Sequence, residues 1–214
     1  MGFLHPHRAD VPESPKPLPG FEHVKRYWDP SRHMHVAKLL PGEYYISLRG
    51  EMITTVLGSC ISACIRDRKL GIGGMNHFML PDSAHLDDWG GSSSSARYGS
   101  YAMEKLINEI LKAGGRRENL EVKAFGGGRI VSSMTDVGRK NIAFLHKFLQ
   151  IEELKLIAED LGSLYPRKVN YYPDSGRAQV KKLRSIHNDT IVQRESQYMD
   201  ELVETPVQGN IELF

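Results

Sequence analysis

The sequence predicts an α+β domain with mixed pairing in its sheets. Short runs rich in β-branched and aromatic residues recur between turn signals, and two longer stretches carry apolar residues at helical spacing. The two patterns follow one another irregularly, which argues against a regularly alternating βαβ fold. At 214 residues the chain is long enough to bury a real core as one domain with tails.

The elements follow in order. Pro6, Pro12, Pro15, Pro17 and Pro19 make residues 1–20 an extended, mobile lead-in. Tyr44-Tyr45-Ile46-Ser47-Leu48 reads as a strand, and so does the β-branched run Met52 to Leu57. Ile61 to Ile65 and Ile72 to Leu80 read as a hairpin around Asp67-Arg68-Lys69-Leu70-Gly71. Gly90-Gly91 and the serines Ser92 to Ser95 form a flexible loop. Tyr98 to Lys112 is the clearest helix. Met103, Leu106, Ile107, Ile110 and Leu111 make its apolar stripe, and Gly114-Gly115 stop it.

Leu120 to Phe125 is strand-like and runs into Gly126-Gly127-Gly128. Asn141 to Leu149 shows a helical stripe of Ile142, Leu145, Phe148 and Leu149. Leu154 to Ala158 is ambiguous in period and is read as a strand. Arg167 to Tyr172 and Arg177 to Leu183 flank the turn Pro173-Asp174-Ser175-Gly176 as a second hairpin. The folded domain is therefore placed at 21–188. From Asp189 to 214 the chain is polar and acid-rich and is read as a loosely held tail. Its last residues, Ile211-Glu212-Leu213-Phe214, either dock or fray.

Composition narrows the class. With 40% hydrophobic and 25% charged residues, the chain has the make-up of a globular protein in water. A formal charge of +2 supplies no general pull toward nucleic acid. The basic cluster between Arg167 and Arg184 is interleaved with strand residues and reads as a solvated hairpin face. No apolar run approaches the ~20 residues of a membrane helix, and Met1 to Asp10 lacks the apolar stretch of a secretory signal. Cys60 and Cys64, the two cysteines, stand four apart on one strand, too far for a disulfide. Free thiols point to a reducing, cytoplasmic setting.

The chemistry concentrates in the first hairpin. Leu57-Gly58-Ser59-Cys60 and Gly74-Met75-Asn76-His77 put a thiol and an imidazole on its two arms. A turn centred between Arg68 and Lys69 makes Cys60 and His77 direct cross-strand partners, with Cβ atoms ~5 Å apart on one face. An imidazole beside a thiol makes a nucleophile for carbonyl carbon. Gly58 and Ser59 suit a bend whose backbone N–H groups stabilise an oxyanion. A plainer reading, in which Cys60 is a small buried strand residue and His77 its neighbour, stays open on spacing alone.

Other motifs are weaker. Gly126-Gly127-Gly128-Arg129 lacks the Lys-Ser/Thr ending of a phosphate loop and is read as close backbone packing. His33-Met34-His35, with His23, has no cysteine or carboxylate at ligand spacing, so no metal site is expected. Asp87-Asp88-Trp89 reads as a solvated loop. No Gly-x-Ser-x-Gly elbow is present.

Taken together, Thr54-Thr55-Val56-Leu57-Gly58-Ser59-Cys60 and Gly74-Met75-Asn76-His77-Phe78-Met79-Leu80-Pro81 resemble the CheD family of chemoreceptor glutamine deamidases. Arg97 to Met103 resembles the family's helix start, and Lys123 to Gly128 its glycine-rich strand end. Val137-Gly138 with Asn141 resembles its Ile-Gly-x-x-Asn pattern. Glu159 to Gly162, Arg167-Lys168-Val169 and Gly176 to Leu183 match its last part. The resemblance runs from Phe21 to Arg184. Ser163 departs from a second glycine, and Arg139-Lys140 from an acidic-basic pair.

The resemblance implies mixed β-sheets layered with helices, similar to the catalytic domain of the cytotoxic necrotizing factor toxins. It implies a catalytic triad of Cys60, His77 and Thr54, with Thr55 as the adjacent competitor. It implies hydrolysis of glutamine side chains on methyl-accepting chemotaxis receptors through a Cys60 thioester, without metal or organic cofactor. Glutamyl methyl-ester hydrolysis is an implied side activity. The alternative is a docking partner of a CheC-type chemotaxis phosphatase, built on the same fold.

Overall fold

A computed structural model describes residues 12–48, 50–80, 94–130, 137–183 and 189–204. Its strands are β1 (Lys25–Asp29), β2 (Met34–Lys38), β3 (Tyr44–Ser47), β4 (Met52–Leu57), β5 (Ile61–Asp67), β6 (Ile72–Asn76), β7 (Leu120–Gly126), β8 (Lys155–Leu161), β9 (Arg167–Tyr172) and β10 (Arg177–Lys182). The helices are α1 (Ser94–Lys112), α2 (Val137–Ile151) and α3 (Asp189–Glu204), with one 3-10 turn at Arg117–Asn119.

Two five-stranded sheets form, in the orders β1-β2-β4-β9-β10 and β3-β6-β5-β7-β8. Each contains one parallel pair, β2 with β4 and β7 with β8, among antiparallel ones. The expected α+β class with mixed sheets and helices is thus the observed one. Strand parity explains the packing of β4. Ile53 and Leu57 face the main core, whereas Met52, on the opposite face, packs with Val36 and Tyr172. Tyr45 on β3 donates to the Glu51 carboxylate just before β4, at 2.7 Å, and ties the sheets together.

α1 lies on the second sheet with Met103, Leu106, Ile107 and Ile110 fully buried. Burial of each such side chain contributes about 1.5–3 kcal/mol. Gly74 makes the close approach possible: a Cβ there would stand 2.3 Å from the Tyr45 carbonyl and 2.7 Å from Leu106.

The first hairpin turns one residue later than expected. Ile65 pairs with Gly74 and Asp67 with Ile72, so the turn centres between Lys69 and Leu70. Asp67 is the reason. Its carboxylate accepts from the Lys69 and Leu70 N–H groups, its carbonyl accepts from Gly71 N–H, and Gly71 takes the left-handed φ of 69°.

Two further departures matter. Arg167 does not lie on a solvated face: it is fully buried, and its guanidinium donates to the Asp160 carboxylate and to the carbonyls of Asp160 and Gly162. Residues 189–204 are no loose tail but α3, with Glu195, Tyr198, Met199 and Leu202 buried. Within the lead-in, Arg26 donates to Ser14 and to the Pro15 carbonyl. Asp87-Asp88-Trp89, Gly90-Gly91 and the terminal Ile211 to Phe214 lie outside the described residues.

Candidate active site

Cys60 and His77 do meet, though not as direct partners. The shifted register pairs Ile61 with Phe78, which makes Cys60 and His77 diagonal neighbours on one face. Asn76 ends the regular ladder just before His77. Its side chain accepts from Ala63 N–H at 2.8 Å and donates to the Ala102 carbonyl at 3.2 Å. His77 then pairs with the loop before β3. Its N–H donates to the Glu43 carbonyl, and its carbonyl accepts from Gly42 N–H.

The threonine beside the imidazole is Thr55, and the Thr54 expectation is corrected. Thr55 Oγ1 lies 2.8 Å from His77 Nδ1 and 2.9 Å from the Leu39 carbonyl. Thr54 points the other way, with its hydroxyl 2.7 Å from Asn170 Oδ1 and 3.0 Å from the Val169 carbonyl. Successive side chains of a strand face opposite sides, so only one of the pair can serve His77.

This geometry assigns the tautomer. A carbonyl only accepts, so the single Thr55 proton goes to Leu39. The hydroxyl oxygen must then accept from His77 Nδ1–H. Nε2 is left as the basic nitrogen, buried and without a hydrogen-bond partner among the described residues. Cys60 Sγ, a ring nitrogen of His77 and a Glu195 carboxylate oxygen all lie within 4.8 Å of one another.

The bend 57–60 is laced from behind. Gly127 N–H donates to the Cys60 carbonyl and Gly128 N–H to the Gly58 carbonyl, at 2.8 and 2.7 Å. A Cβ on Gly126 would fall 2.1 Å from the Cys60 carbonyl, and one on Gly138 would fall 2.6 Å from the Gly127 carbonyl. Close backbone packing is therefore the use of the glycine run. Asn141, at the first buried turn of α2, donates to the Ser59 carbonyl at 2.9 Å and accepts from Leu80 N–H at 2.8 Å. It clips the two arms of the site together. The sequence signal for it was present in the Val137-Gly138…Asn141 pattern, without a stated role. Ser163 adopts a φ of 76°, which accounts for a glycine preference there.

The front of the bend is an anion-binding nest. Gly58 N–H and Ser59 N–H each donate to the Glu195 carboxylate at 2.8 Å, Ser59 Oγ donates at 2.6 Å and Cys60 N–H at 3.4 Å. Gly58 is needed: a Cβ there would lie 2.8 Å from the carboxylate and 2.1 Å from Ile130. Glu195 was not anticipated. Its signal was the stripe Ile191, Glu195, Tyr198, Met199 and Leu202, at helical spacing within the apparent tail.

Cysteine, histidine and glutamate in one cluster also form a metal-ligand set. The convergent N–H groups give the bend a positive pole, which favours an anion over a cation. His33, Met34 and His35 do not join any cluster of ligand type among the described residues; His35 packs edge-on against Trp28.

Burial sets the electrostatics. Cys60 is fully buried and His77 is 2% exposed. Burial, then the Glu195 charge beside it, pushes the Cys60 thiol well up. Burial alone pushes His77 down, from 6.5 to about 3. Both shifts favour a neutral thiol and a neutral imidazole.

The His77 shift has a stability consequence. Between about 3 and 6.5 the unfolded chain binds a proton on His77 that the folded chain refuses. Stability is full above the unfolded value and is lost as the pH falls toward the folded one, at up to about 1.4 kcal/mol per pH unit. Urea midpoints followed against pH should show this loss, and His77→Gln should flatten it.

Sequence comparison decides the family. Over its whole length the chain is 54% identical to the "Probable chemoreceptor glutamine deamidase CheD" of Halorhodospira halophila, covering 99% of that protein. The chain belongs to the CheD family. Proteins of the same name from Hahella chejuensis and Methylobacillus flagellatus are 50% and 52% identical, over 94% and 88% of this chain and 95% and 94% of theirs. The family profile described as CheD chemotactic sensory transduction matches residues 79–182, which hold Asn141 and the glycine run.

Proposed function

We propose that this protein hydrolyses the carboxamide of receptor glutamines to glutamate, using Cys60 as nucleophile, His77 as acid and base, and Thr55 to orient His77. The observation that carries the reading is the pairing of a Thr55-held imidazole with an N–H nest at the thiol. That combination suits attack on a carbonyl carbon and stabilisation of its oxygen. Membership of a family of chemoreceptor glutamine deamidases selects the carboxamide over other carbonyls.

The steps follow from the atoms present. His77 Nε2 takes the thiol proton as Sγ attacks the glutamine Cδ. The developing oxyanion sits on the N–H groups of Gly58 and Cys60, where one Glu195 carboxylate oxygen now lies, beside the Ser59 N–H that holds the other. His77 returns its proton to the leaving ammonia. It then activates a water to hydrolyse the thioester, releasing glutamate and restoring the thiol. The same thioester would form from a glutamyl methyl ester, which supports esterase activity at this site. Two mixed sheets with helices layered on one of them are compatible with a likeness to the cytotoxic necrotizing factor catalytic domain.

The chemistry requires no metal or organic cofactor. Among the described residues no helix is long and apolar enough to cross a membrane. The test is peptide mass spectrometry of a purified receptor signalling fragment after incubation with the enzyme. Conversion of defined glutamines to glutamate is expected; an unchanged fragment would overturn the reading.

A further inference from the structure

The nucleophile is covered by the chain's own last described helix. α3 seats Glu195 on the Gly58 and Ser59 N–H groups and on the Ser59 hydroxyl. Three turns of the same helix hold it there. Ile191 lines the small space beside His77 together with Leu39, Leu40, Pro41 and Val56. That space is about 60 Å³, and Glu195 lines it too. Tyr198 packs on Gly42, where a Cβ would stand 2.9 Å from its ring, and its hydroxyl meets that of Tyr98. Met199 and Leu202 continue the buried stripe.

The chemical match is specific. The product of glutamine deamidation is a glutamate side chain, and Glu195 is a glutamate side chain on a helix. Its carboxylate shares a cluster with Cys60 Sγ and a His77 nitrogen, within 4.8 Å. His77 Nε2, buried and without a partner among the described residues, is the group that would otherwise serve a substrate. A buried carboxylate held by backbone N–H groups and a hydroxyl at a thiol is an arrangement that packing alone does not require.

We propose that α3 is a tethered occupant of the substrate site, holding Glu195 in the pose of the deamidation product and blocking Cys60 until a receptor helix displaces it. The inference rests on the deamidase reading above. It also describes the substrate: a helix presenting its glutamine toward the bend, with apolar or aromatic residues four positions before it and three, four and seven after it. The Glu195 carboxylate also adds to burial in pushing the Cys60 thiol up, which favours its unreactive protonated form.

Replacing Glu195 by glutamine converts the occupant into a substrate. Cys60 Sγ would bond to Cδ of the new side chain and the C–N bond would break. Ammonia would leave with the proton from His77, and water would hydrolyse the thioester. The net change is glutamine plus water to glutamate plus ammonia, which restores the encoded residue.

The experiment uses the full chain. Glu195→Gln protein is expected to revert to glutamate at position 195, by peptide mass spectrometry, at a rate independent of protein concentration. Adding Cys60→Ala to the same background should preserve the introduced glutamine. Glu195→Ala is expected to raise receptor-fragment deamidation about tenfold and Cys60 alkylation by a similar factor, a shift of roughly 1.4 kcal/mol toward the open state. Cys64, fully buried in β5, reports on folding and should stay unreactive. Persistence of the introduced glutamine in a Glu195→Gln enzyme that still deamidates receptor would overturn the proposal and leave the deamidase reading standing. Exposure of Cys60 in Glu195→Ala, with no turnover of receptor and no reversion in Glu195→Gln, would sink the deamidase reading instead.

Discussion

Cys60→Ala is expected to reduce deamidation of a receptor fragment by at least ~10³-fold, with the fold retained. The size of the effect follows from the lack of a substitute. Cys64 lies four residues further along, inside β5 opposite Met75 and Lys123, and is fully buried. Ser59 presents its hydroxyl to Glu195 and to the Met79 sulfur, not to His77. What remains in the variant is the N–H nest and the imidazole. These can bind and polarise a carboxamide but leave only water to attack it. Ammonia release and peptide mass would be followed together, with urea unfolding as the control for folding. Retention of more than a tenth of wild-type turnover would remove Cys60 from the mechanism.

The second large effect separates two neighbouring threonines. Thr55→Val should lower kcat by about 10²-fold, because His77 loses the acceptor that holds its Nδ1 proton and its ring orientation. Thr54→Val should leave kcat within about threefold. Both variants strand buried polar partners and should cost about 1–3 kcal/mol of stability. For Thr55 the partners are the Leu39 carbonyl and His77, and for Thr54 they are the Val169 carbonyl and Asn170. Similar losses of stability with unlike losses of turnover are therefore the signature. Nitrogen NMR of the imidazole supplies an independent readout: the Nδ1–H form in the wild type, lost in Thr55→Val and kept in Thr54→Val. Equal loss of kcat in both variants would contradict the assigned role.

The reach of sequence reading is clearest at these residues. Cys60 and His77 were visible because a hairpin is local, and its arms can be counted from a turn. The count missed by one residue, since Asp67 and Gly71 build a longer turn than the bare spacing suggests. The two residues still shared a face, because moving a turn centre by one residue shifts pairing by two and preserves parity. The choice between Thr54 and Thr55 was beyond that reasoning. Both faces of β4 carry apolar residues, Ile53 and Leu57 on one and Met52 and Val56 on the other, so no alternation marks the inner face. β1 and β2 escaped for a related reason. Both are short, and β1 has no fully buried residue, so no core-facing stripe repeats.

The basic run after Arg167 shows the opposite error. Charge pattern assigns arginine to water, but the Asp160 carboxylate and two carbonyls take this one into the interior. Pairing of that kind is set by where β8 and β9 meet and leaves no trace in local composition.

By itself the sequence determined the α+β class, most of the strands and two of the helices. It also determined the thiol and imidazole, the bend of Gly58 and Ser59, and through its motifs the CheD family. These depend on local periodicity, turn chemistry and residue type. The tertiary structure alone decided that Thr55 holds His77, that Asn141 and the glycine run brace the bend, and that Glu195 fills the nest. Each joins residues far apart in the chain, and Glu195 lies 135 residues beyond Cys60. Such contacts are fixed by which faces of distant elements bury one another, and a one-dimensional pattern holds no measure of that distance.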